Sequence, residues 1–512
     1  MKEIINIICE LFKKVNSNLE EWKKSENGYD LLQVEEEIIK IFRESSGKIM
    51  GELLKELCED KELEAKAIEL SLKNRPWLKR GRYEEVRIKF LSGECVKIRT
   101  LYMYADRDKI RGRKKKKKGR GKGGSGSYPV LKLLGISHGA TPGLISEVTR
   151  QVVLQSSMER AREELSLQGI KLDIKVVRKL SLYFSHKAIE YRDMLMKKYQ
   201  DQKLSSGNIL KGKIVVLTLD GGRLQVRLGG KRGLTGKGGH RKYKPEWKEP
   251  KLLRLYVIDN KGRRVCRELD FIDGTLGDCY ALLELVCMYL HLLGIEEAEK
   301  LIVIGDGAPW LWDRVREIRE RLGLSEEKVI EVLDFYHSVE HLSSAVEECK
   351  KWGEKKKKRW CNKQKQRRKQ GHFNLLLESL NEICKGRRSK EINKVIDYFQ
   401  KHRNRMSYLD FKAAGYPIGS DAIESAVRRV VNLRMKGPGI FWQPENAEAF
   451  LHVRAQLLSG RWNNLCEILF SGDERQFDDR YFQNEGRNII SLDVWKKQRM
   501  EAKEIKDIRK AA

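Results

Sequence analysis

The sequence lacks long apolar runs and paired cysteines. Among its 512 residues, no run approaches the roughly 18 apolar residues of a membrane-spanning helix, so a transmembrane segment is not expected. Its ten cysteines occur singly, without a Cys-x-x-Cys pair, which argues against a disulfide framework and against a cysteine-based zinc site. Residues 1–24 mix Lys and Glu in a helical pattern that is not typical of a signal peptide. We therefore expect a protein of the reducing cytoplasm with no membrane partner.

Negative charge is scarce relative to positive charge. The chain has 104 Lys and Arg against 73 Asp and Glu, which gives a formal net charge of +31. A polyanionic partner is the simplest physical account, because neutralising phosphates supplies both binding energy and electrostatic steering. Apolar residues make up 40% of the chain, which is enough to build packed cores and excludes a disordered protein.

Composition and periodicity change along the chain, whose length allows about three domains. The patterns predict a helical and mixed N-terminal region over 1–105, a basic Lys/Arg-Gly loop over 106–127, a helical DNA-binding region over 128–210, the first part of an α/β core over 211–337, a basic helical insertion over 338–416, the last part of that core over 417–470 and a polar tail over 471–512. The basic loop has two interpretations: a solvated linker, or an arm that contacts phosphates.

Two helices around a glycine are predicted in the region 128–210. Ser156 and Glu159 form a capping-box pattern that opens the first helix, Gly169 can end it, and Asp173 can cap the second. Such a pair is compatible with a helix-turn-helix that binds DNA, but also with a hairpin that only builds a core.

The α/β core is predicted from apolar and alternating runs. Strands are expected at 213–219, 223–228 (a two-faced neighbour of the first), 252–258, 265–271, 301–304 and 329–333, with a helix over 276–293. Sequential antiparallel strands, a helix and a β-α-β unit are the element order of an RNase H-like domain. The fold class is therefore predicted as α/β, with an RNase H-like mixed five-stranded sheet, a helical insertion and a mainly helical N-terminal region.

Three acidic residues occupy positions that favour a chemical role. Asp220 and Asp306 each end a buried strand beside glycines, and Glu424 lies in the first turns of a late helix that runs through Arg434. In an RNase H-like sheet the first and fourth strands are adjacent, so Asp220 and Asp306 would be neighbours. Converging carboxylates repel one another unless a divalent cation compensates, and oxygen ligands select Mg²⁺ or Mn²⁺. Taken singly, however, aspartates at strand ends are often caps or turn formers.

Four blocks of the sequence resemble the ISKra-type insertion-sequence transposases, which are DDE enzymes distantly similar to the Mutator superfamily. The blocks are LDGGR at 219–223, DGAPW at 306–310, EVLDFYHSVEHL at 331–342 and PIGSDAIESAVRRVVNLRMKGPGIFW at 417–442. The resemblance covers about 211–462. It implies that Asp220, Asp306 and Glu424 are a catalytic, metal-binding triad that holds two Mg²⁺ (or Mn²⁺) ions. One departure is Asp421, where glycine is expected in relatives.

An auxiliary role is expected for Asp334 and His337. They match a C/D-x-x-H element of Mutator-like relatives, in which the histidine would orient DNA or a catalytic carboxylate. Alternatively, Asp334 only caps the next helix and His337 lies in its first turn. The segment from His337 to His341 also spells His-x-x-Glu-His, a zinc-protease motif, although no third ligand is marked independently.

Basic residues near these motifs are candidates for contact with the DNA backbone. They are Arg428, Arg429, Arg434 and Lys436 after the late helix, Lys355, Lys356, Lys357 and Arg359 in a tryptophan-interleaved cluster, and Lys114, Lys115 and Lys116 in the basic loop. Each group could equally be a solvated face.

The sequence therefore predicts an insertion-sequence DNA transposase that cuts and joins strands in a metal-dependent reaction. Its partners would be double-stranded DNA, namely the terminal inverted repeats and the target, and a homo-oligomer is expected by analogy. Alternatives are an RNase H-like nuclease without transposition, a non-catalytic nucleic-acid-binding protein and, least favoured, a zinc protease.

Overall fold

A computed structural model describes residues 2–105, 126–228, 244–265, 269–385 and 389–471. They form two compact units. The first comprises the described parts of Met1–Arg192, Glu445–Arg454 and Cys466–Gln476, and the second those of Asp193–Pro444 and Ala455–Leu465. No helix in these ranges has an apolar stretch that would cross a membrane.

The first unit is mainly helical, as the charged helical pattern of its sequence predicts. Its elements are α1 Lys2–Trp22, α2 Gly28–Glu59, α3 Lys61–Asn74, β1 Leu78–Lys89, β2 Cys95–Ala105, α4 Pro129–Leu133, α5 Pro142–Leu154, α6 Met158–Leu167 and α7 Ile174–Gln200, the last of which continues into the second unit. Strands β1 and β2 pair antiparallel. Helices α2, α3 and α4 and both strands contribute buried apolar side chains to one core cluster.

The two predicted helices around Gly169 are present. Gly169 has φ +77°, a left-handed conformation that ends α6 at little cost for glycine. Asp173 accepts a hydrogen bond from the Lys175 amide at the start of α7. The cap of α6 is Ser157, whose hydroxyl bonds the Arg160 amide, so the capping box predicted at Ser156 is wrong by one residue. Whether these helices bind DNA stays a prediction.

The second unit is built on a mixed five-stranded sheet. Its elements are β3 Ile214–Gly221, β4 Leu224–Leu228, β5 Lys244–Lys248, β6 Lys251–Ile258, β7 Asp270–Thr275, α8 Cys279–Leu293, β8 Lys300–Gly305, α9 Pro309–Arg321, β9 Val329–Leu333, α10 Phe335–Glu347, α11 Glu354–Lys369, α12 Phe373–Cys384, α13 Lys390–Lys401, α14 Tyr408–Ala413 and α15 Asp421–Val427, with 3₁₀ turns at Ile295–Glu297, Glu326–Lys328 and Arg403–Arg405 and a π-helical turn at Arg428–Asn432. Helices α16 Pro444–Leu458 and α17 Trp462–Ser471 contribute to both units.

The strand order of the large sheet is β7-β6-β3-β8-β9. Strand β3 is antiparallel to β6 and parallel to β8, β6 is antiparallel to β7, and β8 is parallel to β9. The predicted adjacency of the first strand and the strand before Asp306 is thus confirmed. Between β9 and α15, the described elements are all helical.

Two strand predictions need correction. The run 223–228 does not join the large sheet beside β3, because β4 pairs with β5 in a separate two-stranded sheet. The other edge of β4 bonds the backbone of Trp442, with the Arg227 amide donating to its carbonyl at 2.8 Å. Alternation shows that a strand has one buried face, but it does not identify the partner strand. The strand predicted at 265–271 is found at 270–275.

Candidate functional site

The carboxyl ends of three adjacent parallel strands bring three aspartates to one edge of the sheet. In the β3–β8 register Thr218 lies opposite Ile304, so Asp220 and Asp306 follow at the same level. In the β8–β9 register Gly305 lies opposite Leu333, and each is followed directly by an aspartate, Asp306 or Asp334. Parallel strands end at a common edge, which explains how acids far apart in sequence meet there.

The alternation of side chains along β3 places Asp220 on one particular face of the sheet. Side chains alternate between the faces of a strand, so Asp220 shares a face with Ile214 and Val216. These two residues belong to an apolar cluster with side chains of β6, β8 and β9, and Ala422 of α15 packs against it. Helix α15 therefore covers the face on which Asp220 lies, and Glu424 is carried by this same helix.

The acids of this edge interact electrostatically. Burial, together with the carboxylates of Asp306 and Glu424, raises the pKa of Asp220 to about 6, although the Gly221 amide and His337 act to lower it. The Gly221 N–H donates to the Asp220 carboxylate at 2.6 Å. Asp306 and Glu424 thus lie within electrostatic range of Asp220.

Glu424 is subject to the same crowding of negative charge. Burial raises its pKa, and the carboxylates of Asp334 and Asp421 raise it further, while a hydrogen bond from Ser420 opposes them. The added acid Asp421 therefore does influence Glu424, as its position one turn earlier suggests.

Asp334 joins two helix N-termini. Its buried carboxylate accepts the amides of Tyr336 at 2.6 Å and His337 at 3.0 Å, which confirms the predicted cap of α10. The same carboxylate accepts the Ser420 amide at 2.7 Å and the Ser420 hydroxyl, immediately before α15. Three amides and a hydroxyl thus bond this side chain, and through it the end of β9 fixes the start of the helix that carries Glu424.

His337 and His341 lie one turn apart on α10. The Nδ1 atom of His337 lies 3.3 Å from Glu340 Oε2, and His337 is near enough to Asp220 to lower its pKa. The ring of His341 stacks on Tyr398, with centroids 3.9 Å apart. The first-turn position predicted for His337 is confirmed, and its role in orienting DNA or a carboxylate stays a prediction.

Helix α13 contacts the loop that carries Asp306. The Tyr398 hydroxyl donates to the Asp306 carbonyl at 3.1 Å. Gly307 adopts φ +88°, and a Cβ atom built there would lie 2.7 Å from the Tyr398 ring. Only glycine permits this close approach, so α13 and the Asp306 loop are fitted to each other. No sequence signal marks Tyr398, because its partner lies 92 residues away.

The side-chain chemistry of Asp220, Asp306 and Glu424 fits a hard divalent cation, because each offers carboxylate oxygens and their negative charges repel one another. Within the ranges that the structure describes, however, no group of three or more His, Cys, Asp or Glu side chains is arranged to hold a metal ion. The metal roles of Asp220, Asp306 and Glu424, and of the His-x-x-Glu-His segment, therefore stay hypotheses.

The basic residues after α15 differ in their surroundings. The predicted helix through Arg434 changes pitch, because residues 428–432 form a π-helical turn, a feature found often at functional sites. Arg428 and Lys436 are exposed, and Arg429 is half-buried. Arg434 is 4% exposed, and its guanidinium lies over the Trp442 ring. Its prediction as a DNA contact is therefore wrong for this structure, in which it packs in the core.

The tryptophan-interleaved cluster lies at the start of α11. Lys355, Lys356 and Arg359 are exposed, and the Lys356 ammonium lies 4.4 Å from the centroid of the Trp352 ring. Lys357 is paired with Glu347 and Glu354, so its charge is already compensated within the protein. The predicted contacts Lys114, Lys115 and Lys116 lie outside the described residues.

Sequence reasoning missed Arg254 of β6. This buried guanidinium donates to both oxygens of Asp270 at 2.8 Å and to the Ala422 carbonyl of α15 at 2.5 Å. A charged residue inside the apolar run KLLRLYVI was the available signal, because a buried charge requires partners.

Among solved structures, the chain is similar to the "Drosophila P element transposase strand transfer complex", with 11% sequence identity over 67% of this chain and 84% of that chain. The TM-score of 0.22 is too low to establish a shared fold. No protein-family model matches the chain, and no curated protein matches its sequence. Inference about function therefore depends on the residues of the site.

Proposed function

We propose that this protein is an insertion-sequence DNA transposase with an RNase H-like catalytic domain and a DDE triad of Asp220, Asp306 and Glu424. One observation carries the proposal. Asp220 and Asp306 follow adjacent parallel strands at the same level, on the edge where Glu424 influences the titration of Asp220. The strand order β7-β6-β3-β8-β9 agrees with the sheet expected for this domain.

In this proposal the three acids hold Mg²⁺ or Mn²⁺. When bound, two such ions activate an oxygen nucleophile and stabilise the leaving oxygen of a phosphodiester. Asp334 keeps α15 in place, so that Glu424 faces the two strand-end acids. His337, beside Asp220, orients a carboxylate or the DNA strand.

The reaction consists of two displacements at phosphorus. Water first breaks the bond between phosphorus and the 3′ oxygen at the end of the element and leaves a 3′-hydroxyl. That hydroxyl then attacks a phosphodiester of target DNA and releases a target 3′-hydroxyl. Exposed Arg428, Lys436, Lys355, Lys356 and Arg359 contact the DNA backbone, and a homo-oligomer brings two element ends together.

The test is a product analysis with purified full-length protein. Labelled double-stranded DNA from both flanks of the reading frame is incubated with unlabelled plasmid and Mg²⁺. We expect nicked ends and a labelled product joined to plasmid, both abolished by a chelator. Nicking without joining would favour the nuclease, and binding with no metal-dependent product would favour the non-catalytic protein.

Tyr398 should act as a positioning residue for Asp306. Tyr398→Phe keeps the ring that stacks on His341 but removes the hydrogen bond to the Asp306 carbonyl. We expect a fall in cleavage rate of about tenfold, the lower end for groups that orient metal ligands, together with a higher Mg²⁺ requirement. An unchanged Mg²⁺ dependence would reduce Tyr398 to a packing role. Phe399→Leu, on the same helix and facing the core, controls for general loosening of α13.

A further inference from the structure

A pocket of about 320 Å³ lies on the second unit beside α15. Ten residues line it, and those that carry charged or hydroxyl groups are Arg254, Tyr256, Arg264, Asp421, Ser425 and Arg429. Three of the ten are arginines, and one is acidic. Six of the ten lining residues belong to the block 417–442, but β6 and the segment after it complete the wall, so the sequence alone does not reveal the pocket.

The charges around the pocket leave an excess of positive charge. Arg254 is neutralised by two hydrogen bonds with Asp270. Arg264 lies 3.8 Å from the same carboxylate, so one negative charge faces two guanidiniums. Arg429 adds a third positive charge and donates to the Leu458 carbonyl at 3.3 Å. The lining residues together with Asp270 therefore present three guanidiniums and two carboxylates.

Neutral donors complete the wall. The Tyr256 ring lies under the Arg264 guanidinium, 5.7 Å from ring centroid to Cζ. Burial raises the pKa of Tyr256 to about 12, so its hydroxyl remains protonated at neutral pH. Ser425 is exposed and belongs to the pocket lining. Forked guanidinium donors beside hydroxyl donors are the chemistry that recognises phosphate oxygens.

We propose that this pocket binds a phosphate group, with Arg264 and Arg429 as its charged contacts and Arg254 as a fixed part of the wall. Helix α15 both lines the pocket and carries Glu424, so we assign this phosphate to a DNA strand bound by the second unit. The assignment of that phosphate to DNA rests on the proposed function. Binding of a phosphate as such does not.

The first experiment titrates inorganic phosphate into full-length protein and follows binding by calorimetry. Arg264→Gln should weaken binding by roughly tenfold, because one charge-assisted contact is lost. Arg263→Gln is the matched control: it removes an equal charge one residue away, from a side chain that is 74% exposed and paired with Asp259. Asp421→Asn should have the opposite effect and tighten binding severalfold, since it removes the one acid of the lining.

The second experiment identifies the source of the phosphate. If the pocket holds a DNA phosphate, Arg264→Gln lowers the salt dependence of DNA binding by about one unit of slope, more than Arg263→Gln does. Inorganic phosphate then competes with DNA for the wild type. If phosphate binding weakens but DNA binding has the same salt slope in both variants, the site takes a free phosphate, and its assignment to DNA is overturned.

Two results would refute the proposed phosphate site: no phosphate binding by the wild type, or equal binding by Arg264→Gln, Arg263→Gln and Asp421→Asn. Neither result depends on whether the triad is catalytic. Phosphate binding that persists while every cleavage assay fails would refute the proposed transposase and leave the phosphate site standing.

Discussion

Asp306→Asn should abolish DNA cleavage while DNA binding persists. Asparagine retains an oxygen that can accept the hydrogen bond from the Ala308 amide, which Asp306 accepts at 3.0 Å, so the loop should keep its conformation. What is lost is a negative charge at the edge where Asp220 and Asp306 meet. We expect the rate to fall by roughly a thousandfold, in line with the loss of several kcal/mol of transition-state charge stabilisation.

The control for this substitution is Asp313→Asn. Asp313 lies on the exposed side of α9, seven residues further along the chain, and loses the same charge by the same chemical change. Cleavage by this variant should match the wild type, and both variants should bind labelled DNA with similar affinity. Cleavage retained by Asp306→Asn would refute the assignment of the triad.

Asp334→Ala should cause a large loss of stability. It removes the cap of α10 and leaves the buried Ser420 amide without its acceptor. Loss of a cap together with an unsatisfied buried donor is expected to lower the free energy of unfolding by about 3 kcal/mol. Urea denaturation followed by intrinsic tryptophan fluorescence measures the change.

Asp278→Ala separates the loss of a helix cap from the loss of the bond to the buried Ser420 amide. Asp278 also caps a helix, since it accepts the amides of Tyr280 at 3.0 Å and Ala281 at 2.9 Å at the start of α8, but it is exposed. Its loss should lower the free energy of unfolding by only about 1 kcal/mol. Equal losses in the two variants would mean that the link from Asp334 to Ser420 contributes nothing.

Local patterns predicted the sheet well because its central strands are nearly continuous apolar runs. The runs ending at Asp220 and Asp306 are buried strands, and their adjacency follows from the order of elements along the chain. The cap at Asp334 was also predictable, since an aspartate directly before a helical pattern bonds the amides of the first turn.

The remaining features depend on contacts between distant residues. Asp334 bonds Ser420 across 86 residues, and Tyr398 bonds the Asp306 carbonyl across 92. Arg434 belonged to a basic run and was predicted to bind DNA, yet it is buried with its guanidinium over the Trp442 ring. Composition indicates that a residue is charged, but the partner that neutralises or buries it is set by the tertiary fold.

Insertions should have very different effects in the helical segment before Glu424 and inside strand β3. Asp306 and Glu424 are 118 positions apart, and most of the described residues between them are helical. Inside β3, by contrast, adding or deleting one residue would reverse the phase of the pleat and point Asp220 into the opposite layer. Insertions between the helices of the segment before Glu424 should thus be well tolerated, whereas insertion or deletion of one residue within β3 should not.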